Sequence, residues 1–416
     1  MQASTLLILI IAIVVLNFVL EQVLDALNRK NKKHTLPEEL KGIYDEEKYR
    51  RSLAYQRAND RFHTLTTSFS FILSVILLAT GFFGWVDIQL QPYIADPLWR
   101  ALAYFGILFL ASDIINLPFQ LYGTFVIEEK FGFNKMNLKT FWQDKLKGYL
   151  LTIILGGLLA GVFLYLVMNI GRDFWWYFWV IAAGIMALLN MFYTSIFVPM
   201  FNKLKPLEEG DLREAIEAYG RKVDFPIKNV YVIDGSKRSS KSNAFFSGMG
   251  KQKKVVLYDT LIENHSVKEL VAVIAHEVGH YKRKHILSGM LLSVLQIGFT
   301  LFVLSLLIFN EQLSYALGGN ELAIHLNLIA FGILFSPIST ITGLLMNIWS
   351  RKNEYEADAY ATNTFEGSAL ATALKKLSVH NMSNLLPHPW YVFFYYSHPP
   401  LLARLKAITR LSVVKS

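Results

Sequence analysis

In the stretch V-I-A-H-E-V-G-H-Y-K-R-K-H, residues 273–285, two histidines stand four residues apart with a glutamate directly after the first. On a helix such positions lie about 40° apart around the axis and about 6 Å along it, so His276 and His280 project from one face and can grip one ion. That is the ligand geometry of zinc. Glu277, about 100° round from His276, is not placed to be a third ligand but can lie beside a water at the metal and take its proton. The small Gly279 leaves room for another segment to approach closely. Val273, Ile274, Ala275, Val278 and Tyr281 match a buried helix face, not two surface histidines met by chance.

A catalytic zinc usually takes three protein ligands and keeps one position open. The chain has no cysteine, so a histidine or a carboxylate must complete the set, and disulfides and thiol nucleophiles are excluded. His285 is nearest, but nine residues beyond His276 a continuous helix carries it half a turn off the ligand face, as a solvent or interface histidine. The stronger candidate is S-R-K-N-E-Y-E-A-D-A-Y-A, residues 350–361, where Glu354 and Asp358 stand at i and i+4. One carboxylate can bind metal while the other orients a ligating histidine through its second ring nitrogen. Glu356 points elsewhere. Alone, the segment would read as an exposed acidic turn paired with Arg351 and Lys352.

The elements that must position these residues belong to a membrane protein. Of 416 residues, 53% are hydrophobic and only 18% charged, too apolar for an ordinary soluble domain of this size. Seven apolar runs are long enough to cross a hydrocarbon core of about 30 Å: 5–27, 65–86, 99–121, 148–169, 175–199, 287–309 and 324–348. The first lacks a basic start and a cleavage site before the cluster Arg29-Lys30-Asn31-Lys32-Lys33, and reads as a retained helix. Residues 28–64 hold ten Lys or Arg, and 122–147 and 200–286 are also basic, whereas 87–98 and 310–323 have none and 170–174 only Arg172. The positive-inside rule therefore places the amino terminus outside and the carboxyl terminus, with the 200–286 module, inside. The charge of +9 is spread over three loops and does not gather into one nucleic-acid-binding stripe.

The chain divides into helices 1–199, a cytoplasmic module 200–286 ending in the H-E-V-G-H helix, two more spans at 287–348, and a cytoplasmic tail 349–416. Within the module a helix is expected at about 208–222, strands at 229–234 and 254–258, and a helix from Ser266, capped with Glu269, to about His285. The aromatic group Trp175-Trp176-Tyr177, with Trp179 nearby, reads as an interfacial belt. Asp113, inside the third span with Asn116 one turn on, reads as an interhelical hydrogen-bonding residue or a functional one.

Along most of its length the sequence resembles the zinc-dependent, type I CaaX prenyl endopeptidases. The likeness rests on E-E-K-F-G-F-N-K (128–135), F-N-K-L-K-P-L-E-E-G (201–210), S-K-R-S-S-K-S-N-A-F-F-S-G (236–248), L-Y-D-T-L-I (257–262), H-E-V-G-H, E-Y-E-A-D-A-Y-A and S-H-P-P-L-L-A-R-L (397–405). The resemblance implies a mainly α polytopic fold: seven helices ringing a chamber, with a small α+β zincin-like module. It also implies that His276, His280 and Glu354 bind one Zn2+ and that Glu277 is general base and acid; Asp358, the other carboxylate of the pair, remains a catalytic candidate from its spacing. Asn243, Ala244 and Phe245 could offer backbone groups to an extended substrate, and His398 or Arg404 could donate to an oxyanion or hold a substrate carboxylate.

The expected partners are a peptide or protein, prenylated or not, and membrane lipid; nucleic acid is not among them. Competing readings are a membrane heat-shock metalloprotease, which is shorter with fewer spans, a site-2-type protease, whose motif lies within a span, and an idle scaffold or transporter, which would not need Glu277. Compact loops and a tail, V-V-K-S, without a lysine-type retrieval signal suggest a bacterial inner membrane, with the endoplasmic reticulum as the alternative.

Overall fold

Long apolar helices cannot all bury their sides against one another, and the computed structural model leaves side chains such as Leu150, Ile153, Ile154 and Leu158 exposed, as residues facing lipid must be. The structure describes residues 1–32, 35–42, 44–225, 227, 229–248 and 254–413; Lys33 of the basic cluster and residues 414–416 of the tail lie outside them. Among the described residues six helical segments are long and apolar enough to cross a membrane: Ala3–Asn31, Glu46–Ala79, Pro97–Glu128, Leu138–Phe201, His285–Leu307 and Ile324–Thr364. The chain is an integral, multi-pass, mainly helical membrane protein.

The fourth segment, at 64 residues, is far longer than one crossing needs. A short 3-10 turn at Gly171–Asp173, with Gly171 at φ 71°, separates helix Gly157–Ile170 from helix Phe174–Phe192. Phe163 packs edge-on against Phe174 and Phe178 across the turn, at 5.4 and 5.0 Å. The expected spans 148–169 and 175–199 fall in these two arms. The expected span 65–86 is cut short, because Gly81 is left-handed (φ 67°) and the chain restarts as helix Phe82–Leu90. There a Cβ on Gly84 would lie 1.9 Å from the carbonyl carbon of Gly318, so two glycines let these connections touch.

That contact belongs to one end of the molecule. Leu6, Ile10, Leu78, Val86, Tyr104, Leu313 and Leu317 form one buried cluster, and Val167, Phe174, Leu304 and Ile308 belong to another that gathers the connections poor in Lys and Arg. Trp179, expected in an interfacial belt, instead donates its indole N–H to Val294 O at 2.7 Å and lies over Gly298, because helix packing takes precedence. Asp113 joins helices as expected, pairing with Lys145 Nζ at 2.7 Å and accepting from Tyr149, while Asn116 bonds within its own helix to Ser112.

The basic connections meet the module at the other end. Tyr55 packs on Phe131 and Phe133, and Lys241 lies 4.6 Å over the Phe133 ring and 2.9 Å from Glu128 Oε2. Asn134 bridges Ser239, and Arg238 binds Asp144 with two bonds of 2.7 and 2.8 Å. The segments 128–135 and 236–248 are therefore two halves of one contact.

Among its described residues the module holds a helix, Asp211–Lys222, and four strands: β1 Leu204–Pro206, β2 Val230–Ile233, β3 Ala244–Ser247 and β4 Lys254–Tyr258. Their order is β1-β2-β4-β3, with β2 and β4 parallel and both outer pairings antiparallel, so β3 is an edge. The sheet and helix share a core of Ile216, Val255, Leu257, Leu270, Ile274 and Val278 with Ala361, Leu370 and Ile408. Residues of the module and of the tail thus build one hydrophobic interior.

Candidate metal centre

The helix Val267–Lys282, which carries H-E-V-G-H, is nucleated by a reciprocal cap: Ser266 Oγ accepts from Glu269 N, and Glu269 returns its carboxylate to Ser266 N. Its apolar face is sealed into the core by Leu270, Ile274, Ala275 and Val278. The segment for which Gly279 leaves room is the helix Ile324–Thr364: a Cβ on Gly279 would come within 3.1 Å of Ala357 Cα and O. This close crossing sets Glu354 and Asp358 opposite His276 and His280.

His276 Nε2 and His280 Nε2 lie 3.1 Å apart, and Glu354 reaches them at 3.6 and 3.3 Å. All three ligand atoms fall within 4.8 Å of one another, the one such group among the described residues. Asp358 Oδ1 sits 2.9 Å from His276 Nδ1, and Arg404 grips Asp358 with Nε at 2.8 Å and Nη2 at 2.6 Å. Of the two carboxylates that the spacing left interchangeable, Glu354 therefore faces the histidine pair and Asp358 stands behind it.

The donor set fits a metal cation. With Nδ1 of His276 donating to Asp358, its Nε2 presents a lone pair toward the Nε2 of His280. Glu354 Oε2 is buried without a hydrogen-bond partner. Arg404 Nη1 offers it a charge at 3.4 Å without a hydrogen bond, and three acceptors converging on one point fit a cation between them. Two imidazoles and one carboxylate are the ligand set of many catalytic zinc sites.

Glu277 is half-buried beside His276. Burial pushes its carboxyl above the ordinary carboxylate range; His276, His280 and Arg404 oppose the shift and Glu354 adds to it. Burial alone would lower Arg404, but Asp358 and Glu354 outweigh it and hold the guanidinium charged. His398 approaches from solvent, its side chain 65% exposed and its Nε2 3.3 Å from Glu354 Oε1. Of Asn243, Ala244 and Phe245, expected to offer backbone groups to a substrate, Asn243 precedes the edge strand, and it and Phe245 turn their peptide groups inward to β4. Tyr258 N donates to Asn243 O, so by antiparallel alternation Ala244 and Phe246 direct their peptide groups to the open edge, with Ala244 N held by Asn243 Oδ1.

His285 departs from its expected place. It is buried, not in solvent, with Nδ1 3.1 Å from His280 Nδ1 and Nε2 3.2 Å from Glu356 Oε2. Glu356, expected to point elsewhere, is thus tied to the site. The expected helix to His285 ends instead at Lys282, Lys284 turns left-handed (φ 59°), and a new helix starts at His285. Helical phase cannot be carried across that break. The basic run Lys282-Arg283-Lys284 before an apolar stretch was the available signal, since it marks where a chain turns into a membrane.

With this geometry in view, residues 26–203 match the family described as CAAX prenyl protease N-terminal, five membrane helices, and residues 206–412 match peptidase family M48. The chain is similar to a CAAX prenyl protease 1 homolog of Oryza sativa, 35% identical and covering 96% of each chain. It is similar to CAAX prenyl protease 1 of Saccharomyces cerevisiae, 31% identical over 91% of this chain and 90% of that one, and to the human homolog, 30% identical over 90% and 88%. Its fold is similar to the crystal structure of S. mikatae Ste24p, with a TM-score of 0.91 at 30% identity, covering 97% of this chain and 99% of that one. These relatives are eukaryotic and lend no support to a bacterial inner membrane; compact loops report how connections fold and carry no mark of source.

Proposed function

The chain belongs to the CAAX prenyl protease 1 family within peptidase family M48, a family of metalloproteases, and on that premise we propose that it is a membrane-embedded zinc endopeptidase trimming the carboxyl-terminal residues of CaaX peptides or proteins, prenylated ones foremost. The observation that carries the reading is the convergence of His276, His280 and Glu354 within 4.8 Å, with Glu277 on the same helix.

One zinc held by these three residues would polarise the scissile carbonyl and lower the pKa of a water. Glu277 takes the proton of the attacking water and returns it to the leaving amine, a task suited to a carboxyl whose pKa is raised toward the working range. Asp358 fixes His276 in the tautomer that leaves Nε2 free, and Arg404, engaged by two carboxylates, acts by holding them and not by contacting substrate. His398, at the solvent side of the ligand set, donates to the oxyanion. The substrate adds as a strand along Ala244 and Phe246, its last residues directed at the metal.

We take the membrane part as seven crossings around a chamber; the six long apolar segments, with Leu138–Phe201 turning at Gly171–Asp173 to cross twice, support the count. The module, of zincin type, and the tail lie on the cytoplasmic side, where the basic connections gather. The endoplasmic reticulum is the membrane we propose.

The test is mass spectrometry of a farnesylated CaaX peptide incubated with detergent-purified protein, with Glu277→Ala as control. Loss of the last three residues with wild type alone is expected. Cleavage of only an unprenylated peptide would replace this reading with a quality-control protease, and cleavage of neither would overturn it.

A further inference from the structure

The two histidines of the metal centre are supported differently. His276 has a carboxylate directly behind it, whereas His280 has another histidine. His280 Nε2 lies inside the ligand set, 3.3 Å from Glu354 and 3.1 Å from His276 Nε2, so it must present a lone pair there. Its one proton is then on Nδ1, which donates to His285 Nδ1 at 3.1 Å. An accepting Nδ1 forces the proton of neutral His285 onto Nε2, and that N–H donates to Glu356 Oε2 at 3.2 Å. With His280 Nε2 as a ligand and His285 neutral, each donor in this chain has one acceptor. With both ring nitrogens engaged, His285 cannot itself be a ligand.

We propose that His285 and Glu356 are positioning residues for His280: Glu356 fixes the tautomer of His285, and His285 fixes the tautomer and ring orientation of His280. The proposal rests on the metal-site reading above. The chain's own backbone supplies the means, since the left-handed Lys284 starts the membrane-entering helix so that His285 turns back toward the site it follows. Glu356 is partly exposed and also faces Lys352 at 3.8 Å, so its carboxylate is reachable for substitution without opening the core. Outer partners of metal-binding histidines raise ligand basicity and hold the ring in place, and losing one typically costs about 10–100-fold in metal affinity.

The test uses full-length, zinc-loaded protein in detergent, challenged with a chromophoric chelator, with the zinc-release rate read by absorbance. His285→Ala should release zinc on the order of 10–100-fold faster than wild type. Glu356→Ala should fall between the two, and Glu356→Gln should recover much of the loss, because its amide oxygen still accepts from His285 Nε2–H. His285→Gln, which keeps an acceptor for His280 Nδ1–H, guards against a folding defect in His285→Ala. In cobalt-substituted protein the ligand-field bands should shift with His285→Ala and not with a substitution that only lowers the unfolding temperature. Release rates and cobalt spectra of His285→Ala equal to wild type would overturn the relay alone, leaving the metal centre intact. A wild-type protein that binds no zinc would overturn the relay and the metal centre together.

Discussion

Two buried aspartate–histidine pairs, each braced by an arginine, stand at opposite ends of the molecule. At the module end Asp358 lies 2.9 Å from His276 and is gripped by Arg404; at the other end Asp87 lies 2.9 Å from His325 and 3.3 Å from Arg100. Both aspartates are fully buried. The difference is what the histidine faces on its far side. His276 meets Glu354 and His280, all of them acceptors, whereas the His325 ring lies against Tyr104 at 4.4 Å and Asp87 is further satisfied by Gln91 at 3.1 Å. Arg100 extends to Glu321 at 2.6 Å and ties the connection 310–323 to helix Pro97–Tyr122. A buried Asp–His–Arg group is therefore not by itself a reactive site. Two imidazole nitrogens and a carboxylate converging on one point distinguish the candidate metal centre from the pair at the other end, which joins helices.

The comparison breaks most sharply at Glu354. Glu354→Ala should lose zinc and all cleavage, and chelation of wild type should do the same reversibly, as metal analysis and peptide cleavage will report. Glu277→Ala should keep zinc while losing on the order of 10²–10⁴ in turnover, measured on the farnesylated peptide. Asp358→Asn should weaken zinc binding about 10–100-fold in chelator competition. Its counterpart Asp87→Asn should leave zinc and cleavage unchanged and lower unfolding stability by about 1–3 kcal/mol; altered zinc release in Asp87→Asn would show that the two ends are coupled.

The smallest effect is at the cap. Burial alone would raise the Glu269 carboxyl, but Lys376, at 2.8 Å, and Ser266 N–H outweigh it and hold its pKa below the ordinary 4.5. A depressed carboxyl stabilises the fold above that ordinary value and loses its contribution as pH falls through its depressed one. Thermal unfolding of Glu269→Gln should thus fall below wild type at neutral pH by about 1 kcal/mol, the gap closing in acid.

The grouping of His276, His280 and Glu354 was legible because helical periodicity is local: H-E-V-G-H and the Glu354–Asp358 pair each declare a face within five residues, and zero cysteine narrows the ligand types. The strands at 229–234 and 254–258 and the cap at Ser266 were legible for the same reason. His285 was not, because Lys284 resets the helix phase between it and His280. The Asp87–His325 pair was not, since 238 residues separate its members and no pattern links them. Arg404 was visible as a candidate, yet its engagement by Asp358 depends on how the tail folds back onto the module core through Ile408. The crossing helices were found by length and apolarity, but the turn at Gly171 and the break at Gly81 are backbone choices made by packing.

The most direct test of the central claim is the zinc content of four purified proteins by mass spectrometry of the metal: wild type, Glu277→Ala, Asp87→Asn and Glu354→Ala. One zinc per chain is expected in the first three and essentially none in the fourth. A Glu354→Ala protein that keeps its zinc, or an Asp87→Asn protein that loses it, would contradict the claim that convergence at His276, His280 and Glu354 makes the site.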